Sequence, residues 1–186
     1  MGESNPAAAG DVGLALLVLR CQAGDERAFA RLMEQFGART LGYLHSLVGD
    51  DADDVQQEVW LTVYRRIAEL ANPRAFRTWL YRTTRHRALD FLRRYKRERE
   101  LLGDAARRVS VDREADTASD DVAFTDDMLG ALAALPPTQR EVCVLRYRDD
   151  MTYAEIALVT GTSVGTVRSR LFYAKQRLHE LLKPVS

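Results

Sequence analysis

Cysteine, proline and long apolar runs are all scarce in this chain. Cys21 and Cys143 are the only cysteines, far apart and outside any CxxC or Cys/His grouping. Neither a disulfide framework nor a zinc site is therefore expected, and no other metal or cofactor site is recognisable. The three histidines, His45, His86 and His179, are isolated from one another. Catalysis needs convergent titratable groups, so an enzyme is not expected. The longest apolar run near the start, Leu14 to Leu19, is six residues long and follows Glu3 and Asp11. That is too short to span a bilayer and lacks the basic flank of a signal peptide, so the expectation is a cytoplasmic protein without membrane insertion. Five prolines beside 46% hydrophobic and 29% charged residues exclude a low-complexity or wholly disordered chain.

Net charge is also lacking, with 27 basic residues against 27 acidic. The distribution is uneven. Arg74 to Arg99 holds ten basic residues and two acidic, a local balance of +8, whereas Asp112 to Asp127 holds seven acidic and one basic, a balance of −6. Blocks of like charge mark either a solvated face or an interaction surface, and composition alone does not choose between them.

A length of 186 residues suits one ordinary domain or two small ones. Residues 1–11 are small and polar and are expected to be a disordered tail. Helical periodicity then runs to about Arg97, broken at Gly24-Asp25, at Val48 to Asp51 and at Leu70 to Pro73, with no alternating strand pattern. Val55, Val59, Val63 and Ile67 recur every four positions, one face of an amphipathic helix. Phe76, Leu80, Ala88, Phe91 and Tyr95 form a second stripe on a long basic helix. From 100 to 126 the chain turns to Gly, Ala, Ser, Thr and Asp and reads as a flexible acidic linker. The expected architecture is all-α: a helical domain over 12–99, the linker, and a second small helical domain over 127–186.

The second domain carries the strongest local signal. Thr152 and Glu155 fit a capping box, Gly161 stands where a left-handed residue ends a helix, and Ser163 is placed to cap the next one. Ile156, Val167 and Leu171 supply a shared core, leaving Arg168, Ser169, Phe172, Tyr173 and Lys175 on the outer surface. This pattern is a helix-turn-helix over about Tyr153–Thr160 and Val164–Leu182, preceded by a helix over about Pro137–Tyr147. Arginine bidentate to guanine and an aromatic ring against a thymine methyl suit a major groove. A helical hairpin that binds no nucleic acid has the same periodicity.

Within FRTWLYRTTRHRALDFLRRYKR aromatic rings alternate with cations, as on a surface that stacks unpaired bases and neutralises phosphates. Trp79 fits such a wedge or a core position equally well. One helix earlier, Asp53, Asp54, Gln57 and Glu58 form an acidic stretch. It is either a dipole-stabilised helix start or a docking surface for a basic partner.

Five stretches, GDERAFARLMEQF, DDADDVQQEVWLTVYRRI, FRTWLYRTTRHRALDFLRR, LPPTQREVCVLRYRDDMTYAEIA and GTSVGTVRSRLFYAKQRL, stand in an order and spacing that resembles bacterial sigma factors of the extracytoplasmic-function (ECF) type. The resemblance covers roughly Cys21 to Arg99 and Met128 to Leu182. It implies a helical domain that binds core RNA polymerase and opens the −10 promoter element, and a helix-turn-helix domain that reads the −35 element. It places Asp54, Gln57 and Glu58 in the polymerase-docking motif. Asn72 and Arg74 fall in the loop that captures a flipped −10 base, and Arg77, Trp79, Arg82, Arg85 and His86 on the melting helix. Arg146, Tyr153, Arg168, Ser169, Phe172, Tyr173 and Lys175 fall at −35 DNA. His86 stands where many members have Asn, and the Ala68 to Arg74 loop is short, so the −10 base preference does not carry over. Core RNA polymerase and promoter DNA are the implied partners. An anti-sigma factor is a further partner that the family allows, although no residue points to one. The alternative reading is a stand-alone helix-turn-helix regulator acting as a dimer.

Overall fold

The computed structural model describes residues 6–101 and 126–183, and every regular element among them is helical. The first half contains α1 (Pro6–Gln22), α2 (Glu26–Val48), α3 (Ala52–Arg66) and α4 (Phe76–Leu101). The second contains α5 (Asp126–Ala133), α6 (Pro137–Cys143) running into a π-helical turn (Val144–Arg148), α7 (Tyr153–Thr160) and α8 (Val164–Leu181). Residues 6–11, expected within the disordered tail, instead open α1. Proline fits a helix's first turn, and Ala7, Ala8 and Ala9 are strong helix formers. The expected linker lies outside the described residues except for its ends, Glu100 and Leu101 in α4 and Asp126 in α5.

Local chemistry sets most boundaries. The Asp25 side chain accepts from the Ala28 N–H at 3.1 Å, capping α2, and pairs with Arg20 at 2.6 Å. The Arg20 guanidinium holds the Asp25 carboxyl below its ordinary range. Gly49, at φ +66°, ends α2 in a backbone region that favours glycine. The Asn72 side chain accepts from the Arg74 N–H at 3.1 Å and starts the turn into α4. Arg140 is buried, and its guanidinium donates to the carbonyls of Leu132, Ala133 and Leu135 at and just beyond the end of α5.

The four-residue stripe of α3 is buried as its spacing predicts: Val55, Val59, Val63 and Ile67 join Leu32, Phe36, Phe76 and Leu80 in the first core. The second core, built on Leu145, Met151, Ile156, Val167 and Leu171, also includes Tyr43 from α2 and Tyr81 from α4. The halves therefore pack directly on each other, α4 against α7 and α2 against α6. Polar groups line this seam. The Tyr43 hydroxyl donates to Glu141 Oε1 at 2.9 Å, and Arg85 Nε donates to the same oxygen at 2.7 Å. The Tyr81 hydroxyl donates to Asp149 Oδ1 at 2.8 Å, while Asp149 Oδ2 is buried without a protein partner. Arg148 reaches across to the carbonyls of Ala38 and Arg39.

Two predictions follow from this packing. Gly161 has φ +67° and open space where a Cβ would stand, so its substitution tests backbone strain alone. Gly161→Ala should lower the unfolding free energy by about 1–2 kcal/mol in urea titrations without changing the slope.

The second concerns Asp149. Burial pushes its carboxyl up to about 6, against the opposing pull of Arg148, the Tyr81 hydroxyl, Arg77 and Arg39. Its ordinary value is about 3.9, so the folded state binds this proton more tightly. The resulting stability is complete below the unfolded pKa and is lost as pH rises through the folded one. Relative to Asp149→Asn, the native chain should lose on the order of 2–3 kcal/mol between pH 4 and pH 7, read from paired denaturation curves.

Candidate nucleic-acid interface

The α7–α8 pair is held by the caps the sequence predicts. The Thr152 hydroxyl accepts from the Glu155 N–H at 3.2 Å, while the Glu155 carboxylate accepts from the Thr152 N–H at 2.8 Å. Gly161 adopts the left-handed turn, and the Ser163 hydroxyl accepts from the Thr166 N–H at 3.1 Å. With Val167, Leu171 and Ala174 buried, helical periodicity turns Arg168, Ser169, Phe172 and Tyr173 outward, and all four are exposed. The Phe172 and Tyr173 rings meet edge to face, 5.5 Å apart. This surface offers a cation, a hydroxyl and two aromatic edges on one convex helix.

Lys175 and Arg146 flank it, each against a ring. The Lys175 ammonium lies 5.5 Å from the Tyr147 centroid, and its contact with that hydroxyl holds its pKa above the ordinary value. The Arg146 guanidinium lies 5.5 Å from the Tyr153 centroid and donates to the Met151 carbonyl at 2.9 Å. Arg146 and Tyr153 thus brace the turn into α7 while remaining half-buried at the edge of the surface.

The residues predicted on α4 divide between two faces. Trp79, Arg82 and His86, spaced i, i+3 and i+7, look away from the second half, and Arg82 and His86 are exposed. Trp79 is half-buried, packed on the first core with its ring 6.1 Å from that of Phe76, so at least part of the side chain serves the core. Arg77, Tyr81 and Arg85, spaced by four, face the seam. There Arg85 is bound to Glu141, and Tyr81 is fully buried. Asn72 and Arg74 are exposed at the N-terminal end of α4. Asn72 already uses its side-chain oxygen as a cap, leaving the amide NH₂ as its outward polar group.

On α3, Asp54 and Gln57 are exposed, whereas Glu58 accepts from Arg94 of α4 at 3.1 Å through both oxygens. Gln57 borders an apolar groove of about 860 Å³ between α2 and α3, lined by Phe29, Met33, Trp60, Leu61 and Tyr64. Leu61 and Tyr64 are exposed and were not among the predicted site residues. Their signal was present, since Gln57, Leu61 and Tyr64 follow an i, i+4, i+7 spacing outside the valine stripe. The seam residues Tyr43, Glu141 and Asp149 were also missed, and no local pattern marks them. Among the described residues, no group of three or more His, Cys, Asp and Glu side chains is placed to hold a metal ion, and no helix is long and apolar enough to cross a membrane.

Comparison with known proteins matches both halves. Residues 32–98 match the family model Sigma-70 region 2, and residues 125–178 match Sigma-70, region 4. The RNA polymerase sigma-H factor of Pseudomonas aeruginosa is 32% identical over 180 residues, covering 91% of this chain and 93% of that protein. The ECF RNA polymerase sigma-E factor of Haemophilus influenzae is 30% identical over 179 residues, covering 91% and 95%. Among solved structures, CnrH in complex with the cytosolic domain of CnrY superposes with a TM-score of 0.65 at 26% identity, covering 93% of this chain and 99% of that one. The sigma factor RpoE of Bartonella quintana, in complex with the anti-sigma factor NepR, gives 0.70 at 22% identity over 85% and 98%, a likeness of fold. With two region models in order and relatives matched over nearly their whole length, the chain belongs to the ECF family of RNA polymerase sigma factors.

Proposed function

We propose that this chain is an alternative sigma subunit that binds core RNA polymerase in the cytoplasm, directs it to promoters through −35 and −10 contacts, and assists DNA opening without catalysing a reaction itself. The outward face of α8 carries this reading: Arg168, Ser169, Phe172 and Tyr173 stand exposed on a helix fixed at its N-terminus by Ser163 and along its inner side by Val167, Leu171 and Ala174. A rigid helix showing a forked cation and aromatic edges is what a major groove can read. On α4, Trp79, Arg82 and His86 supply a ring and cationic or titratable groups for the −10 strand, with Asn72 and Arg74 at the end of the same helix. Asp54 and Gln57, continued by Leu61 and Tyr64 and the adjoining groove, supply a mixed acidic and apolar docking face for core polymerase. An anti-sigma factor is a further proposed partner; the sigma factor RpoE of Bartonella quintana, alike in fold, is solved in complex with one.

In vitro transcription with purified core polymerase is the direct test, and no promoter-specific transcript would refute the reading. Docking is tested by placing cations at two exposed positions of this face: Asp54→Arg, which reverses a charge, combined with Gln57→Arg, which adds one, should abolish pull-down of core polymerase. Stability should change by only about 0.5 kcal/mol, because both side chains are exposed.

Arg168→Ala should weaken binding to a cognate −35 duplex by about 1–3 kcal/mol and relax preference at one base pair. Titrations with matched and mismatched duplexes at several salt concentrations check this. A uniform loss across sequences with a shallower salt slope would identify a phosphate contact instead.

A further inference from the structure

We propose that Gln22, the last residue of α1, is a positioning residue for the −10 strand: its amide fixes the turn between α3 and α4 so that Asn72 and Arg74 are presented together, and this sets which unpaired base the turn accepts. The proposal rests on the assignment of Asn72 and Arg74 to the −10 element and adds what holds them in place.

The turn runs from Ile67 to Pro73 and cannot satisfy its own backbone. The Ile67 carbonyl accepts from the Leu70 N–H at 3.2 Å, closing one tight helical turn. An ordinary turn would give the Leu70 carbonyl the N–H three residues on, but that residue is Pro73, which has none. The next N–H, that of Arg74, is taken by the Asn72 side-chain oxygen at 3.1 Å, and the Ala75 N–H by the Asn72 carbonyl at 2.9 Å. The donor that the turn lacks comes from α1. Gln22 Nε2 donates to the Leu70 carbonyl at 2.8 Å and to the Ile67 carbonyl at 2.9 Å, which uses both hydrogens of its amide.

Gln22 is itself delivered from a fixed backbone. The helix ends at this residue, Gly24 at φ +85° turns the chain, and the Arg20–Asp25 pair at 2.6 Å closes the corner. The Gln22 side chain is half-buried, and Leu70 packs on the first core. Beyond this anchored base Asn72 and Arg74 are exposed. Asn72 turns its amide NH₂ outward because its oxygen holds the Arg74 N–H, and Arg74 adds a cation two residues on. A base with an acceptor edge, next to its phosphate, meets both groups at once while the turn is rigid. A loosened turn lets them move apart and admits other bases, because selectivity between similar ligands depends on groups fixed before binding.

Two single variants of the full chain test the role of Gln22. Gln22→Met keeps the length and helix propensity of the side chain but has no donor. Gln22→Lys restores donors at similar reach and should recover the native behaviour. In the free chain, hydrogen exchange at the Leu70, Arg74 and Ala75 amides should speed up several-fold in Gln22→Met, with helical circular dichroism retained. In reconstituted holoenzyme, transcription from a template library randomised over both promoter elements should lose base preference several-fold at one −10 position. The −35 preference read from the same transcripts should be unchanged, which a general loss of folding would not allow.

The role is overturned if Gln22→Met leaves those amides as protected as in the native chain, or if the turn loosens while the −10 preference stays. It is equally overturned if the −35 preference falls as far, or if Gln22→Lys behaves as Gln22→Met does. A native holoenzyme with no −10 preference refutes instead the assignment beneath the proposal. The exchange measured on the free chain keeps the two failures apart.

Discussion

Two buried carboxylates, Glu141 and Asp149, determine how this molecule is put together. Each half could fill its interior with the apolar side chains its helices supply, but Tyr43 and Tyr81 of the first half are counted within the core of the second. Their hydroxyls are satisfied there because a carboxylate meets each one. Burial and the neighbouring carboxylates drive both tyrosine pKa values well above the ordinary range, so both remain donors at any physiological pH. Removing one partner of such a buried set costs about 3–5 kcal/mol, because the other group is left without compensation. The set is therefore specific to one docking geometry, even where its net contribution to stability is small.

A chain of zero net charge can still present a nucleic-acid surface, because exposed charges interact over about 10 Å at ordinary salt. The local balance of α4 governs what DNA would encounter. Part of that balance is met within the fold: Arg93 pairs with Asp90, Arg94 with Glu58 and Lys96 with Glu100. All these pairs are solvent-exposed, and exposed ion pairs are worth only about 0–1 kcal/mol, so a phosphate can displace them. The pair between Arg85 and Glu141 differs, with side chains 21% and 5% exposed. Solvent screens it far less.

What could be read from the sequence follows the range of the physics. Caps and helix ends depend on residues three or four apart, and Thr152 with Glu155, Gly161 and Ser163 were all legible for that reason. The faces of α3 and α8 were legible because periodicity assigns one side to the core and leaves the other to a partner. The opening of α1 was missed because a small-residue stretch containing proline reads as a tail unless the rest of its helix is considered with it. The π-helical turn after α6 carries no propensity signature, and it sets the position of Arg148 and Asp149. The seam itself joins residues 98 and 68 positions apart, Tyr43 to Glu141 and Tyr81 to Asp149. Nothing local distinguishes these tyrosines from ordinary core residues, so the division of the α4 cations between an outward face and a covered one was not accessible from spacing alone.

The choice of tyrosine at the seam follows from what position 81 has to satisfy. A helix of 26 residues presents three usable faces: Phe76, Leu80 and Ala88 toward the first core, Trp79, Arg82 and His86 outward, and Arg77, Tyr81 and Arg85 toward the second half. Leucine at 81 would leave part of the second core's volume empty and would remove the donor to Asp149 Oδ1. Phenylalanine would fill the place of the ring but would likewise remove that donor. Tyrosine gives its ring to the second core and its hydroxyl to a carboxylate. One side chain can therefore serve an apolar core and a buried carboxylate together, which neither an aliphatic nor a charged residue at 81 would do.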